Sequence, residues 1–497
     1  MMRQEQPGRV LAALEAFLKT PKEDLLRRHL DQAPWDRALA LFQRTARTVP
    51  AYGAFLAAHG IDPAAIRSAA DFTRLPPVTK EGYLRKYPLR DLCREGALDA
   101  CDMIAVSSGS TGEPTFWPRF VTDDLEIASR FEQVFGDSFD AASRRTLAVV
   151  CFSLGTWVGG MFTASCCRLL AAKGYPMTLV TPGNVKEEIW RVVTRLGPEF
   201  DQVVLLGYPP FLKDVIDSGM ARGVDWPRYR VKLVLAGEVF SEEWRTLVGE
   251  RMGGSDPCRD SASLYGTADA GVLGNETPLS IAIRRSLAVR PEAARALFGE
   301  PRLPTLVQFD PMSRFIEAVE GRVLFSGDSG IPLLRYDILD TGGVILFDRM
   351  VEFLLEWGID PFEAIPSYHR LPFAYVFGRS DFTISYFGAN VYPENVTVGL
   401  EQPEVKGWVT GKFVLESRED ADRNRFLSIT VELSPGAEET EEKRRIAADS
   451  ILAALLRLNS EFKSYVPPDR RAPRVTLLPH GDPGYFPLGV KHRYTRR

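Results

Sequence analysis

The sequence lacks the features that would place it in a membrane or an oxidising compartment. No stretch approaches the ~18 uninterrupted apolar residues of a membrane-spanning helix, and the amino terminus lacks the apolar run of a secretory signal. The six cysteines include no C-x-x-C pair and no neighbouring histidines at zinc-finger spacing. We therefore expect a cytoplasmic protein without membrane contacts, whose thiols are reduced and mostly buried.

The charge balance also excludes several classes of function. A net charge of −4, from 61 basic and 65 acidic side chains, provides no cationic field for a nucleic acid backbone, so nucleic acid is not an expected partner. With five histidines and no G-x-S-x-G element, the sequence does not support a serine-hydrolase triad. The composition is that of a globular protein, and 497 residues correspond to roughly two to four domains.

Hydrophobic periodicity divides the chain into regions of different character. Apolar residues at helical spacing predict helices over 7–19, 25–29 and 35–48. From about 100 to 240, short runs rich in branched residues alternate with helix-like segments, which indicates a largely parallel sheet covered by helices. Residues 300–345 suggest a second, more antiparallel sheet.

The last part of the chain has a different pattern. A strand is predicted over 426–433 and a long amphipathic helix over 439–462, which together suggest a small α+β domain. The expected fold class is therefore α/β: a large, multi-layered amino-terminal domain with parallel-rich sheets, followed by a small α+β carboxy-terminal domain.

A loop of hydroxyls and glycines follows the strand ending at Val106. In Ser107-Ser108-Gly109-Ser110-Thr111-Gly112, glycines let backbone N–H groups turn toward an anion, and the hydroxyls can donate to phosphate oxygens. A polar turn is the alternative interpretation. The spacing fits neither a Walker A loop nor a Rossmann fingerprint. The loop resembles the phosphate loop of the adenylate-forming superfamily, and the resemblance implies that these six residues bind nucleotide phosphates.

Two later segments resemble motifs of the same superfamily. Tyr265-Gly266-Thr267-Ala268-Asp269-Ala270-Gly271 is similar to the segment in which an acid holds Mg²⁺ and a threonine lies near the α-phosphate. The resemblance implies that Asp269 is the metal ligand and that Thr267, Tyr265 and Gly266 line the nucleotide site. Residues 331–340 end in Asp340, which by resemblance binds the ribose hydroxyls. A surface turn is the alternative for the first segment. In the second, Asp337 is the competing acid, and a solvated loop aspartate is the alternative for either acid.

The resemblance continues through a hinge motif. Phe377-Gly378-Arg379-Ser380-Asp381, followed by a glycine-rich turn at residues 388–394, implies a pivot at Asp381 and a ribose or phosphate contact at Arg379. Residues 1–378 would then form the AMP-binding domain with its helical amino-terminal segment, and residues 379–497 a small mobile domain. Gly237-Glu238 resembles the segment that lines the adenine pocket.

Segments ahead of the phosphate loop indicate a branch of the superfamily. Residues 47–52, 60–63 and 75–80 resemble the amino-terminal part of phenylacetate-CoA ligases and coenzyme F390 synthetase-like proteins, which favours an aromatic or small cyclic acid. Five further residues would shape the acyl pocket, although most of them could equally be core residues. They are Phe152, Trp157, Gly159, Tyr208 and Pro209.

The sequence departs from the family pattern at three places. The position after the second glycine of the loop, where the family pattern has a lysine, is occupied by Glu113. The adenylation lysine near the carboxy terminus corresponds to Lys491, displaced by one position, with an exposed tail cation as the alternative. Residues 344–376 are longer and more helical than the family pattern, which indicates an insertion.

Together these motifs imply an enzyme that uses ATP and Mg²⁺ to convert a small-molecule carboxylic acid into an acyl-adenylate. The acyl group would then pass to a thiol, for which coenzyme A is one candidate. An amine or a carrier-protein thiol is equally compatible as acceptor, and an acyl-protein synthetase is a further alternative function. A nucleotide-binding homologue without turnover is the alternative from another functional class, and the sequence leaves a homodimer open.

Overall fold

The computed structural model describes residues 2–107, 115–300, 302–379, 383–487 and 494–495, with the backbone alone for residues 2–7 and 379. The helices of this part are α1 Met2–Lys19, α2 Lys22–Leu30, α3 Pro34–Thr48, α4 Pro50–Ala58, α5 Ala69–Phe72, α6 Leu89–Leu92, α7 Val121–Gln133, α8 Val158–Lys173, α9 Lys186–Leu196, α10 Pro209–Ala221, α11 Glu242–Met252, α12 Pro278–Ala288, α13 Pro291–Phe298, α14 Phe347–Glu356, α15 Pro393–Leu400, α16 Glu441–Leu458 and α17 Ser460–Tyr465. Two π-helical turns lie at Lys80–Leu84 and Val134–Ser138. None of the described helices is long and apolar enough to span a membrane.

The strands of the described residues alternate with these helices in the first half of the chain. They are β1 Met103–Ser107, β2 Thr115–Arg119, β3 Thr146–Val150, β4 Met177–Val180, β5 Gln202–Gly207, β6 Val231–Ala236, β7 Ser261–Thr267, β8 Gly271–Asn275, β9 Thr305–Gln308, β10 Phe315–Val319, β11 Arg322–Gly327, β12 Leu333–Ile345, β13 Phe373–Arg379, β14 Ile384–Tyr386, β15 Ala389–Val391, β16 Val409–Glu419, β17 Arg425–Leu433 and β18 Arg474–Leu478.

Within the described residues, eleven strands form one sheet in the order β10-β11-β12-β13-β9-β8-β7-β6-β5-β3-β4. Strands β4, β3, β5, β6 and β7 are parallel, as the alternation of strands and helices predicts. The prediction of a second sheet over 300–345 is wrong, because these antiparallel strands continue the same sheet. The antiparallel return of β8 beside β7 provides the edge on which β9 pairs. The α/β fold class is confirmed.

Strand β1 does not join the parallel strands with which the sequence groups it. β1 is not part of the parallel set but pairs antiparallel with β2, with Ser107 opposite Thr115. Its Val106 also bridges to Trp157, so the start of the predicted phosphate loop lies beside the segment between β3 and α8.

Buried side chains join the layers of the fold. Strands β3 and β5 are buried along their whole length, as expected for strands covered by helices on both faces. One apolar cluster connects α3 and α4, through Phe42 and Tyr52, to Phe325 and Tyr336 of the antiparallel strands. A second cluster extends from β5 and β6 into the three-stranded sheet β16-β17-β18.

The predicted helix over 439–462 is two helices, because the chain turns at Asn459. The backbone of Asn459 is extended (φ −120°, ψ 98°), and its side chain accepts a hydrogen bond from the N–H of Phe462, at 2.9 Å. Its amide nitrogen donates to the carbonyl oxygen of Asn390, at 2.8 Å. Asn459 therefore ends α16 and caps α17, which fixes the short helix against the β14-β15 hairpin.

A buried ion network supports the centre of the sheet and gives a test of the fold. Arg245 bonds Glu242 at 3.0 Å and Glu276 at 2.7 Å, and Arg284 also binds Glu242. Glu276 in turn accepts from the N–H of Ser263 in β7, at 2.8 Å. Burial raises the pKa of Glu242, but the two guanidinium groups together lower it by more than burial raises it. The net pKa therefore lies below the usual value. The carboxylate is therefore charged at neutral pH.

Replacing Glu242 by alanine should destabilise the protein strongly, because it leaves two buried guanidinium groups without their shared partner. We expect a loss of about 3–5 kcal/mol in the free energy of unfolding, measured by urea denaturation. The exposed neighbour Glu243 provides the control, since Glu243→Ala should change stability by no more than about 0.5 kcal/mol. Equal unfolding midpoints for the two variants would contradict the importance of this network.

Candidate active site

The candidate site lies at the carboxyl edge of the parallel strands. Phe152 follows β3, Tyr208 follows β5, Gly237 follows β6, and Thr267 ends β7. Because parallel strands end at the same edge, residues predicted from separate motifs are brought together there. This edge is where open α/β sheets bind ligands.

Aromatic residues predicted to line the acyl pocket lie close together. The ring centroids of Phe152 and Tyr208 are 4.9 Å apart, and Gly159 lies beside both rings. Trp157 packs against Tyr465, with ring centroids 5.0 Å apart. Pro209 starts α10 and is buried, so it fixes the start of that helix.

Two motifs are joined by a pair of crossed hydrogen bonds. The hydroxyl of Tyr265 donates to Oδ2 of Asp340 at 2.7 Å, and that of Tyr336 donates to Oδ2 of Asp269 at 2.6 Å. Each motif thus supplies a tyrosine for the acid of the other. The two carboxylates predicted to bind ribose and Mg²⁺ are held in one polar cluster between β7 and β12.

The turn that carries Asp269 is fixed from both sides. Oγ1 of Thr267 accepts from the N–H of Ala270 at 3.1 Å, and the buried guanidinium of Arg119 donates to the carbonyl oxygen of Asp269 at 3.3 Å. A Cβ atom at Gly266 would lie 2.4 Å from the carbonyl oxygen of Gly271, so only glycine fits this close approach. The position of the acid therefore depends on backbone packing as well as on side chains.

Strained backbone marks the segment between Arg335 and Asp340. Arg335 and Leu339 have φ values of +49° and +68°, which are costly for residues with side chains. The guanidinium of Arg335 donates to the carbonyl oxygens of Thr73 and Leu75, and the N–H of Asp337 donates to Val78 at 3.0 Å. The amino-terminal segment thus holds the strained motif in place.

The two competing acids of this motif face different partners. Asp337 is bound by Arg322 and accepts from the N–H of Leu339 at 2.9 Å. Asp340 is bound by Tyr265, and its backbone lies opposite Arg379 in the β12-β13 ladder. Only Asp340 of these two acids is part of the cluster with Tyr265 and Asp269.

Glu238 faces the carboxy-terminal part of the chain. Its carboxylate accepts from the N–H of Gly388 and from Arg425, both at 2.6 Å. Burial raises the pKa of this carboxyl, and Arg425 offsets the rise only in part. Gly388 approaches the Tyr208 ring so closely that a Cβ atom there would lie 2.2 Å from it, and Gly237 packs against the same ring. The roles of Gly237 and Glu238 at adenine stay predictions.

Several predicted site residues lie outside the described part of the chain. Ser107 lies inside it, and its hydroxyl accepts from the indole N–H of Trp117 at 2.9 Å. For Arg379 the backbone alone is described. The residues outside are Ser108, Gly109, Ser110, Thr111, Gly112, Glu113, Asp381 and Lys491.

Four residues that contact the site are missing from the sequence-based prediction of the site. Arg119, Tyr336, Arg425 and Tyr465 each reach it across long sequence separations, 187 residues between Arg425 and Glu238 for example. Only Tyr336 carried a signal, because it lies within the motif that ends at Asp340. The others show no local pattern that distinguishes them from surface or core residues.

Comparison with known proteins agrees with this geometry. No protein-family model matches the chain. The phenylacetate-coenzyme A ligase of Thermus thermophilus is 25% identical, over 77% of this chain and 78% of that protein. The phenylacetate-coenzyme A ligase of Aromatoleum evansii is 21% identical, over 85% of each chain.

A solved structure of 2-hydroxyisobutyryl-CoA ligase, in complex with 2-HIB-AMP and CoA, has the same fold. The TM-score is 0.64 at 14% identity, with 97% of this chain and 91% of that chain covered. The two relatives thus match most of the chain, and the fold agrees over nearly its whole length. In sequence the chain is therefore similar to phenylacetate-coenzyme A ligases, and in fold it is similar to 2-hydroxyisobutyryl-CoA ligase.

Proposed function

We propose that this protein uses ATP to convert a carboxylic acid, aromatic or small and cyclic, into an acyl-adenylate and then transfers the acyl group to the thiol of coenzyme A. The observation that carries the proposal is the crossed pair Tyr265–Asp340 and Tyr336–Asp269, which joins the two motifs expected to hold the nucleotide. The names of the two sequence relatives, both phenylacetate-coenzyme A ligases, support the same reaction.

In the first step, a carboxylate oxygen of the acid attacks the α-phosphorus of ATP, and pyrophosphate leaves with the electrons of the broken P–O bond. The chain itself contributes position and charge rather than a covalent group. Asp340 accepts hydrogen bonds from the ribose hydroxyls, and the Thr267 hydroxyl, which already accepts one from the N–H of Ala270, donates a hydrogen bond to an α-phosphate oxygen. Lys491 stabilises the charge that develops on the phosphoryl oxygens.

Mg²⁺ fits this site as an ion shared with the substrate. Among the described residues no group of three or more His, Cys, Asp or Glu side chains could hold a metal ion. Mg²⁺ in phosphoryl-transfer sites is bound by one or two carboxylates together with substrate phosphates and water, so Asp269 suffices as the protein ligand. Bound there, the ion would neutralise phosphate charge.

In the second step, the thiolate sulfur attacks the acyl carbon, and AMP leaves. We propose that residues 379–497 rotate about Asp381 between the two steps. Ion pairs join this segment to the rest of the chain beside the apolar cluster that the two parts share, and such a motion would have to break and re-form them. They include Arg425–Glu238 at 2.6 Å and Lys213–Asp422 at 3.4 Å.

The proposed function is tested by ATP–pyrophosphate exchange. Protein incubated with ATP, Mg²⁺, labelled pyrophosphate and one acid of an aromatic panel should form labelled ATP only when an accepted acid is present. Addition of coenzyme A should then yield the acyl thioester, identified by mass spectrometry. Absence of exchange with every acid, together with undetectable ATP binding, would contradict the proposal.

The acids at positions 340 and 337 provide a matched pair for the ribose site. Asp340→Ala should raise the KM for ATP about 10- to 100-fold, because charge-assisted hydrogen bonds to the ribose contribute about 1.5–3 kcal/mol. Asp337→Ala should change that KM less than about threefold, since Asp337 faces Arg322. Thermal unfolding of both variants separates loss of fold from loss of affinity. The reverse order of KM values would assign the role to Asp337.

Substitution of Lys491 tests the displaced lysine. If its ammonium stabilises the adenylation transition state, Lys491→Ala should lower the exchange rate by about 100-fold or more while the protein stays folded. The exposed Lys406, in the same part of the chain, is the control, and Lys406→Ala should exchange at the wild-type rate. Unchanged exchange by Lys491→Ala would reject the assignment.

A further inference from the structure

We propose that Tyr465, which is contributed by the carboxy-terminal part of the chain, forms a wall of the acyl pocket and limits the size of the acid. This inference rests on the proposed function and adds a specificity-determining residue to it. Tyr465 ends α17 and is 7% exposed, so its ring is enclosed by the residues around it.

The ring of Tyr465 packs against two residues predicted to line the pocket. Its centroid lies 5.2 Å from that of Tyr208, with the ring planes inclined by 31°. It lies 5.0 Å from Trp157 in an edge arrangement, at 73°. Phe152 meets the other side of Tyr208. The four aromatic rings therefore form one continuous group, although they come from three separate parts of the sequence.

Polar contacts fix Tyr465 relative to the sheet. The preceding carbonyl oxygen, that of Ser464, accepts from Asn184 at 2.7 Å and from the hydroxyl of Ser153 at 3.2 Å. Ser153 and Asn184 follow β3 and β4, so the end of α17 is bound directly to the carboxyl edge of the sheet. In this arrangement of the chain the ring is a fixed boundary, and the proposed rotation of residues 379–497 would move it only together with α17.

A fixed aromatic wall would select acids by size. Apolar pockets discriminate by roughly 10- to 200-fold for each methylene that is added or removed, so a whole ring at the boundary has a large effect on which acids fit. Removing the ring opens space next to Trp157 and Tyr208, and enlarging it closes space. A smaller residue and a larger residue at position 465 should therefore change the selectivity for acid size in opposite directions.

The test compares thioester formation with phenylacetate and with the bulkier 2-naphthylacetate. The measured quantity is the ratio of kcat/KM for the larger acid to that for the smaller one. Tyr465→Ala should raise this ratio by about tenfold or more, and Tyr465→Trp should lower it. Tyr465→Phe keeps the ring and loses only the hydroxyl, so it should keep the wild-type ratio. Tyr465→Leu replaces the alanine variant if the latter does not fold.

The outcomes separate the inference from the proposed function. If the wild type forms adenylates and thioesters but the folded Tyr465→Ala or Tyr465→Leu variant keeps a ratio within about threefold of wild type, the inference is overturned and the function stands. A purely structural role would reduce kcat/KM for both acids equally, which also overturns it. If the wild type activates no acid, the proposed function fails and the inference with it.

Discussion

The crossed hydrogen bonds between Tyr265 and Asp340 and between Tyr336 and Asp269 are the interaction on which the candidate site depends. A carboxylate held by a tyrosine of another strand has a defined orientation before any ligand arrives. Because each tyrosine belongs to the motif whose acid it does not bind, the two acids cannot move independently. Such reciprocal networks contribute more than the sum of their single bonds. The expected ribose and Mg²⁺ positions are thus set by one arrangement.

The same arrangement extends to the amino-terminal helices. The motif that ends at Asp340 contains Arg335 in a left-handed backbone conformation, and the carbonyl oxygens of Thr73 and Leu75 bind its guanidinium. Val78 adds a backbone bond to Asp337. Residues 75–80, one of the segments that resemble the phenylacetate-CoA ligase branch, therefore have a structural role. They offset the strain of a backbone that orients the predicted ribose acid.

The sequence predicts what is local, and misses what depends on tertiary contacts. The parallel strands β3, β5 and β6 are short runs of branched residues, so their positions could be found without a structure. The sequence could not predict that eleven strands of the described residues form one sheet, because strand pairing is decided by neighbours far along the chain. The break at Asn459 was hidden by a continuous apolar pattern on both sides. At the site, Asp269 and Asp340 lie in motifs, whereas Tyr465 reaches Tyr208 only through the path of α17.

The bond that ties α17 to the large sheet uses the main-chain oxygen of Ser464 as its acceptor. A backbone carbonyl is present whatever side chain occupies the position. Residue 464 can therefore vary among related proteins while the tether persists, and comparison of sequences at this position would give no sign of it. Only the side chains of the two donors, Ser153 and Asn184 in the loops after β3 and β4, make this contact depend on the sequence.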